Sequence, residues 1–158
     1  CMRYLRTNGW INFRMRAMIM SFASYNMWQP WQKTSPLLAE LFTDYEPGIH
    51  ISQVQMQSGV TGINLPRIYS IPKQSMDQDS SAEWIKSLLP QLNNVEPKLI
   101  HSAELNDAYL PQIIDLKVSA KFARDKVWGI RKSKEFKDEA RRVYIKHGSR
   151  RRRNVKTD

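Results

Sequence analysis

The stretch GWINFRMRAMIMSF, residues 9–22, reads as a helix apolar nearly all round, yet it carries two arginines, Arg14 and Arg16. Trp10, Phe13, Ala17, Met20, Ser24, Met27 and Trp31 recur in steps of three and four along one face, and Ile11, Met15, Met18, Phe22 and Tyr25 form a second. A helix with so little polar surface is buried on most sides. A guanidinium in such an element needs an anion. Arg16 shares its face with Phe13, Met20 and Ala23 and so points inward, whereas Arg14 lies about 200° away at about 100° per residue and needs a different partner. The nearest acids are Asp44 and Glu46, in the turn after the next helix. A helix hairpin brings that turn back, and a buried Arg16–Asp44 fork pinning the two elements is the protein's own solution.

Working outward, Pro30 interrupts the first pattern, and Thr34 or Ser35 is a natural N-cap, with Pro36 in the first turn, for a second helix running to about Thr43. Pro47-Gly48 signals a turn. ISQVQMQSG, residues 51–59, alternates apolar and polar, the mark of a short strand when taken alone. Residues 59–81 are rich in Gly, Pro and Ser and predict a long ordered loop, a feature that in compact domains is usually functional. SAEWIKSLLPQL predicts a helix capped by Ser80 or Ser81, residues 93–112 a Pro-punctuated connection, and Leu116, Ala120, Ala123, Val127 and Ile130 a last amphipathic helix from Ile114 to about Lys146, broken near Gly129 and closed by Gly148. The fold class is therefore all-α with long ordered loops. Residues 1–146 form the domain, and 147–158 a basic tail expected to be disordered.

The chain opens on Cys1, and this predicts a piece of a longer protein. A single cysteine excludes a disulfide framework and any cluster needing several thiolates. No apolar run approaches the ~20 residues that span a bilayer. There is no Gly-rich phosphate loop, no metal-ligand cluster and no nucleophile–base pairing in the motifs, so no metal is expected. The net charge of +10 is uneven: residues 1–116 hold 9 of the 25 basic residues against 10 of the 15 acids, and residues 117–158 hold the other 16 against 5. Such a block predicts a polyanion partner, and non-specific DNA affinity in particular. A solvated helix face followed by a loose tail is the plainer account of the same block.

GWINFRMRAMIMSF, WQPWQ, LFTDYEPGIH, RIYSIPKQSMDQD and EWIKSLLPQL, in that order and spacing, resemble the photolyase/cryptochrome family. The likeness runs to about residue 146 and is to the C-terminal part of the family's helical FAD-binding domain. It implies that Trp10, Phe13, Arg16, Asp44, Glu46 and His50 stand at flavin-contacting positions. Arg16 and Asp44 would pair beside the isoalloxazine, and His50 would face its N5. It implies DNA contacts for Arg14, Met56 and Arg67, phosphate being Arg14's partner, and it makes Trp31 the middle member of an electron-transfer chain. Catalytic duty would thus fall on His50 and Trp31.

The departures from the family pattern carry information too. Phe13 replaces an asparagine, Glu46 an aspartate, Val54 the flavin-proximal tryptophan and Met56 an aromatic that packs on the lesion. Iron–sulfur photolyases need more cysteines, and (6-4) photolyases have histidines at the positions of Phe13 and Ala17. The implied function is light-driven repair of cyclobutane pyrimidine dimers, in which reduced FAD lends an electron to damaged DNA. A cryptochrome-like photoreceptor without repair is the rival, and a flavin-free basic helical module the third reading. The partners implied are damaged DNA and the N-terminal portion of the same protein, with no membrane. The antenna pigment is left open, and the location is either the bacterial cytoplasm or the nucleus.

Overall fold

The computed structural model describes residues 1–105 and 108–148. Among the described residues it contains helices and connecting loops and no strand. The helices are α1 (Met2–Asn8), α2 (Phe13–Ser21), α3 (Trp31–Ala39), α4 (Pro47–Gln57), α5 (Ile71–Gln78), α6 (Glu83–Leu88), α7 (Pro97–Ser102), α8 (Leu116–Lys132) and α9 (Lys134–His147), with a π turn at Phe22–Asn26 and a 3-10 turn at Pro90–Leu92. The predicted tail lies outside the described residues from 149 onward.

The anchoring stretch begins with Asn12, whose side chain accepts from the Met15 amide and caps α2. Helix α1 ends at Gly9, whose φ of 67° closes it in the left-handed conformation. A Cβ at Gly9 would strike the Thr43 methyl, and the Thr43 amide donates to the Gly9 carbonyl at 2.9 Å. That contact ties the start of α2 to the turn carrying Asp44. The core beneath is Leu5, Ile11, Met20, Leu38, Phe42 and Val54, with Tyr4, Met15, Ile19, Trp31 and Leu41 packed around it. A smaller cluster of Ala82, Leu92 and Ile100 holds α6 and α7. There His101, buried, meets the Ser75 hydroxyl at 2.7 Å and the Ser80 carbonyl at 3.2 Å.

Several boundaries differ from the sequence expectation. Helix α3 starts at Trp31, and Pro36 sits inside it. Thr34 and Ser35 are interior because their hydroxyls are engaged elsewhere, with the Trp31 carbonyl and with His50. Pro47 does not turn the chain: it is the first residue of α4, capped by Glu46, whose carboxylate accepts from the Ile49 amide at 2.6 Å. The alternating run 51–59 is mostly helix and not strand, since His50, Gln53, Val54 and Gln57 follow helical spacing on one inward face. The long loop shortens to 58–70 because α5 begins at Ile71, with Pro72 in its first turn.

Helix α6 is capped neither by Ser80 nor by Ser81. The Asp79 carboxylate accepts from the amides of Trp84 and Ile85, and Ala82 takes the left-handed conformation. The expected connection 93–112 contains α7. The last helix breaks at Ser133, whose hydroxyl accepts from the Phe136 amide and caps α9. Gly129 stays inside α8 with open space around it.

Candidate functional site

Helices α2 and α4 pack against each other, and the turn between α3 and α4 closes one end of the trough they form. The trough is a cavity of about 300 Å³. Trp10, Phe13, Arg16, Asp44, Glu46 and His50 all line it, so every residue assigned to flavin contact reaches one wall. Ala17, Met20, Leu38, Phe42 and Val54 supply its apolar floor.

Arg16 is the organising group. Its Nε donates to the Ile11 carbonyl at 2.8 Å, and Nη2 donates to both Asp44 oxygens at 3.0 and 2.9 Å. One nitrogen thus serves both oxygens, in place of the expected two-nitrogen fork. The guanidinium lies 4.2 Å from the Phe42 ring centroid, and the Trp10 ring is 6.0 Å away. The expected pair exists, but not as a buried one: the side chains are 24% and 49% exposed. The Arg16 hydrogen bond holds the Asp44 carboxyl below its ordinary value, so Asp44 is ionised at neutral pH.

His50 sits one turn into α4. Its Nε2 is 3.1 Å from the Ser35 carbonyl oxygen and 3.0 Å from Ser35 Oγ. A carbonyl only accepts, so Nε2 carries the hydrogen and, in the neutral ring, Nδ1 keeps a lone pair. Tyr45 and Phe42 meet the ring edge-on, with centroids 5.2 and 5.9 Å away. Glu46 has a second duty as the cap of α4.

Sequence reasoning missed Gln53 and Gln57, which also line the cavity. Gln57 is buried, and Gln53 Oε1 is buried with no hydrogen-bond partner among the described residues. A shielded amide oxygen aimed at a lined cavity is an acceptor awaiting a donor from a bound group. The missed signal was helical spacing from His50, hidden by the strand-like alternation. Ser35 was misassigned for a related reason, because a serine followed by proline looks like a cap.

The remaining assignments separate from this wall. Arg14 and Arg67 come together on an adjoining shallow surface, with Lys73 and Gln74, that shares Phe13 with the cavity. Arg14 donates to Gln74 Oε1 at 3.3 Å. That partner is a neutral amide, and among the described residues Arg14 forms no ion pair. Met56 is half-buried and lines neither the cavity nor this surface. Trp31 is also half-buried and packs on the main core rather than on the cavity. Val54, 4% exposed, belongs both to that core and to the cavity lining. Phe13, expected inside, is 57% exposed because it stands at the cavity mouth. Among the described residues no group of three or more His, Cys, Asp or Glu is placed to hold a metal, and no helix is long and apolar enough to cross a membrane.

A family model described as the FAD binding domain of DNA photolyase matches residues 1–129. The chain is 28% identical to a deoxyribodipyrimidine photo-lyase of Alkalihalophilus pseudofirmus over 102 residues, which are 63% of this chain and 21% of the relative. It is 29% identical to a photo-lyase of the same name from Buchnera aphidicola over 103 residues, 64% of this chain and 22% of that protein. It is also 29% identical to a chloroplastic/mitochondrial cryptochrome DASH of Solanum lycopersicum over 119 residues, 73% of this chain and 20% of that protein. The chain spans about a fifth of the length of these curated relatives.

Proposed function

The chain belongs to the family of the DNA photolyase FAD-binding domain, and from that premise we propose that it is the C-terminal part of this domain in a light-driven cyclobutane pyrimidine dimer photolyase. FAD is the cofactor, and when bound it supplies an electron to the lesion under light. The observation that carries the reading is the wall itself: a charged Arg16–Asp44 pair, His50 and the unpartnered Gln53 oxygen above an apolar floor.

The chain's own residues divide the work as follows. Arg16 and Asp44 orient the ring system by presenting donor and acceptor at a fixed place. His50, oriented by Ser35, would hold the flavin with Nδ1 available as an acceptor. Gln53 offers a second acceptor. Met20, Phe42 and Val54 exclude water from the floor. Arg14, Arg67 and Lys73 hold backbone phosphate beside the mouth, where a flipped lesion would enter. The remaining ribose and phosphate contacts to FAD, and the antenna, belong to the N-terminal portion of the intact protein.

The test is to load the intact protein with reduced FAD, add oligothymidylate carrying a cyclobutane dimer, and illuminate. Light-dependent return of thymine absorbance is the expected result. Flavin binding without dimer cleavage would instead support a second reading, a cryptochrome-like photoreceptor. Val54 favours that reading, because a side chain that cannot be oxidised stands where the cavity lining meets the core on which Trp31 packs. A protein that purifies colourless and takes up no FAD would refute both.

A further inference from the structure

Helices α8 and α9, joined at Ser133, carry a second site that shares no residue with the cavity. Trp128, Arg131 and Lys132 of α8 and Phe136, Lys137, Ala140, Arg141 and Tyr144 of α9 line an open groove of about 540 Å³. Four cations and three aromatic rings face it, and no carboxylate does. At about 100° per residue the acids of α9, Glu135, Asp138 and Glu139, fall on the opposite side of that helix. There Glu139 pairs with Arg142 at 3.2 Å. The segregation is therefore built into the helix and is not an accident of composition.

Within the groove, Arg131 lies 5.7 Å from the Trp128 ring centroid and 4.8 Å from that of Phe136. Its Nη1 is shielded from water and has no hydrogen-bond acceptor among the described residues, an expensive state. Among the described residues, Lys132, Lys137 and Arg141 form no ion pair. Trp128 is 40% exposed, so part of its ring remains open. Lys117, Lys121 and Arg124, all exposed, extend from Trp128 back along α8 in steps of four and three, with Asp125 beside them.

We infer that this groove binds single-stranded nucleic acid, with bases stacking on Trp128 and Phe136 and phosphates held by Arg131, Lys132, Lys137 and Arg141. Cations alone would suit any polyanion. Cations interleaved with rings suit a strand whose bases are free to stack. Helix α9 lies beyond the residues matched by the family model, whereas Trp128 lies within them. The inference does not rest on the flavin reading, since neither light nor cofactor enters it.

The experiment is fluorescence anisotropy of a labelled oligothymidylate of about twelve nucleotides against the full 158-residue chain, in the dark and without flavin. The expected results are saturable binding, about tenfold weaker binding of an abasic strand of equal length, and a loss of about tenfold with Lys137→Glu/Arg141→Glu. Phe136→Ala should weaken the strand about tenfold and leave a duplex of equal length within about twofold, with circular dichroism confirming that the helices persist. Should Phe136→Ala unfold α9, the abasic comparison on the unmodified chain decides the matter. Equal affinity for abasic and thymine strands overturns the inference, as does indifference to the charge reversals. So does displacement of the strand by phosphatidylglycerol vesicles that the chain binds more tightly.

Discussion

Asp44→Asn separates what the Arg16 pair does for stability from what it does for the cavity. The variant keeps an acceptor for Arg16 Nη2 but removes the charge. In the structure Asp44 is 49% exposed and Arg16 24%, so solvent screens the interaction and the ~3–5 kcal/mol cost of breaking a buried pair does not apply. An exposed pair of good geometry contributes ~0.5–1 kcal/mol. In a protein of this size that corresponds to a fall in Tm of ~1–4 °C.

The pH dependence follows from the lowered carboxyl pKa. Its ordinary value is 3.8, and the folded value lies below that. The contribution is therefore complete above the unfolded value and is lost as pH falls through the folded one. Thermal melts followed by circular dichroism at about pH 7 should show the difference between the two proteins, and the difference should shrink as pH falls through the lowered carboxyl value. Arg16→Gln should cost more, ~1–2 kcal/mol, because it also abandons the Ile11 carbonyl and the Phe42 ring. A loss above ~3 kcal/mol for Asp44→Asn, or one that persists unchanged in acid, would refute the screened-pair argument.

Three further outcomes are expected. Ser35→Ala removes the hydroxyl beside His50 but leaves the carbonyl that receives Nε2–H, so the Nε2–H tautomer should survive in nitrogen NMR of the ring; a switch to the Nδ1–H form would show that the hydroxyl governs it. Gly59→Ala should destabilise by ~2–4 kcal/mol in urea melts, since its φ is +73° and the Tyr25 hydroxyl occupies the space for a Cβ, whereas Gly129→Ala, with open space around it, should be neutral or stabilise by up to ~1 kcal/mol. In the intact protein, photoreduction of oxidised flavin should be slow and should quicken with Val54→Trp, and fast photoreduction that survives separate replacement of Trp10 and Tyr45, the oxidisable residues in the cavity lining, would defeat the idea.

Much of the candidate site was legible because charge on an apolar helix is an anomaly with few remedies. Arg16 had to find a carboxylate, and the turn holding Asp44 was the one within a hairpin's reach. What the sequence hid was depth: nothing in it says that the pair lies at a mouth and not in a core. Helix boundaries blurred where one residue type suits two roles. Pro47 fits a turn or the first position of a helix, because its fixed φ serves both. Gly129 looked like a break, yet a hydroxyl at Ser133 could satisfy the free amides of a new helix and a glycine could not. Val54, Gln53 and Gln57 became readable only once residues 51–57 were known to be helical, and a short alternating run does not distinguish that from a strand. Tyr25 was legible as core but not as an isolated phenol. Burial pushes its pKa up to about 12, against the pull of Arg131, and its hydroxyl has no hydrogen-bond partner among the described residues.

The π turn at Phe22–Asn26 works as a vernier between two machines. A π turn carries one residue more than the α-helix would need, and each residue turns the chain by about 100°. That offset aims Asn26 at α8, where its amide donates to Ser119 Oγ at 3.0 Å. Excising a single residue there would let the segment relax to α-helix and swing everything downstream by the same angle. The turn with Asp44 and the helix with His50 lie downstream and would shift against Arg16, and the helix bearing the basic ridge would lose its mooring. An insertion or deletion at this one place would therefore disturb the flavin wall and the basic helix together, so the turn locks the two surfaces to one another.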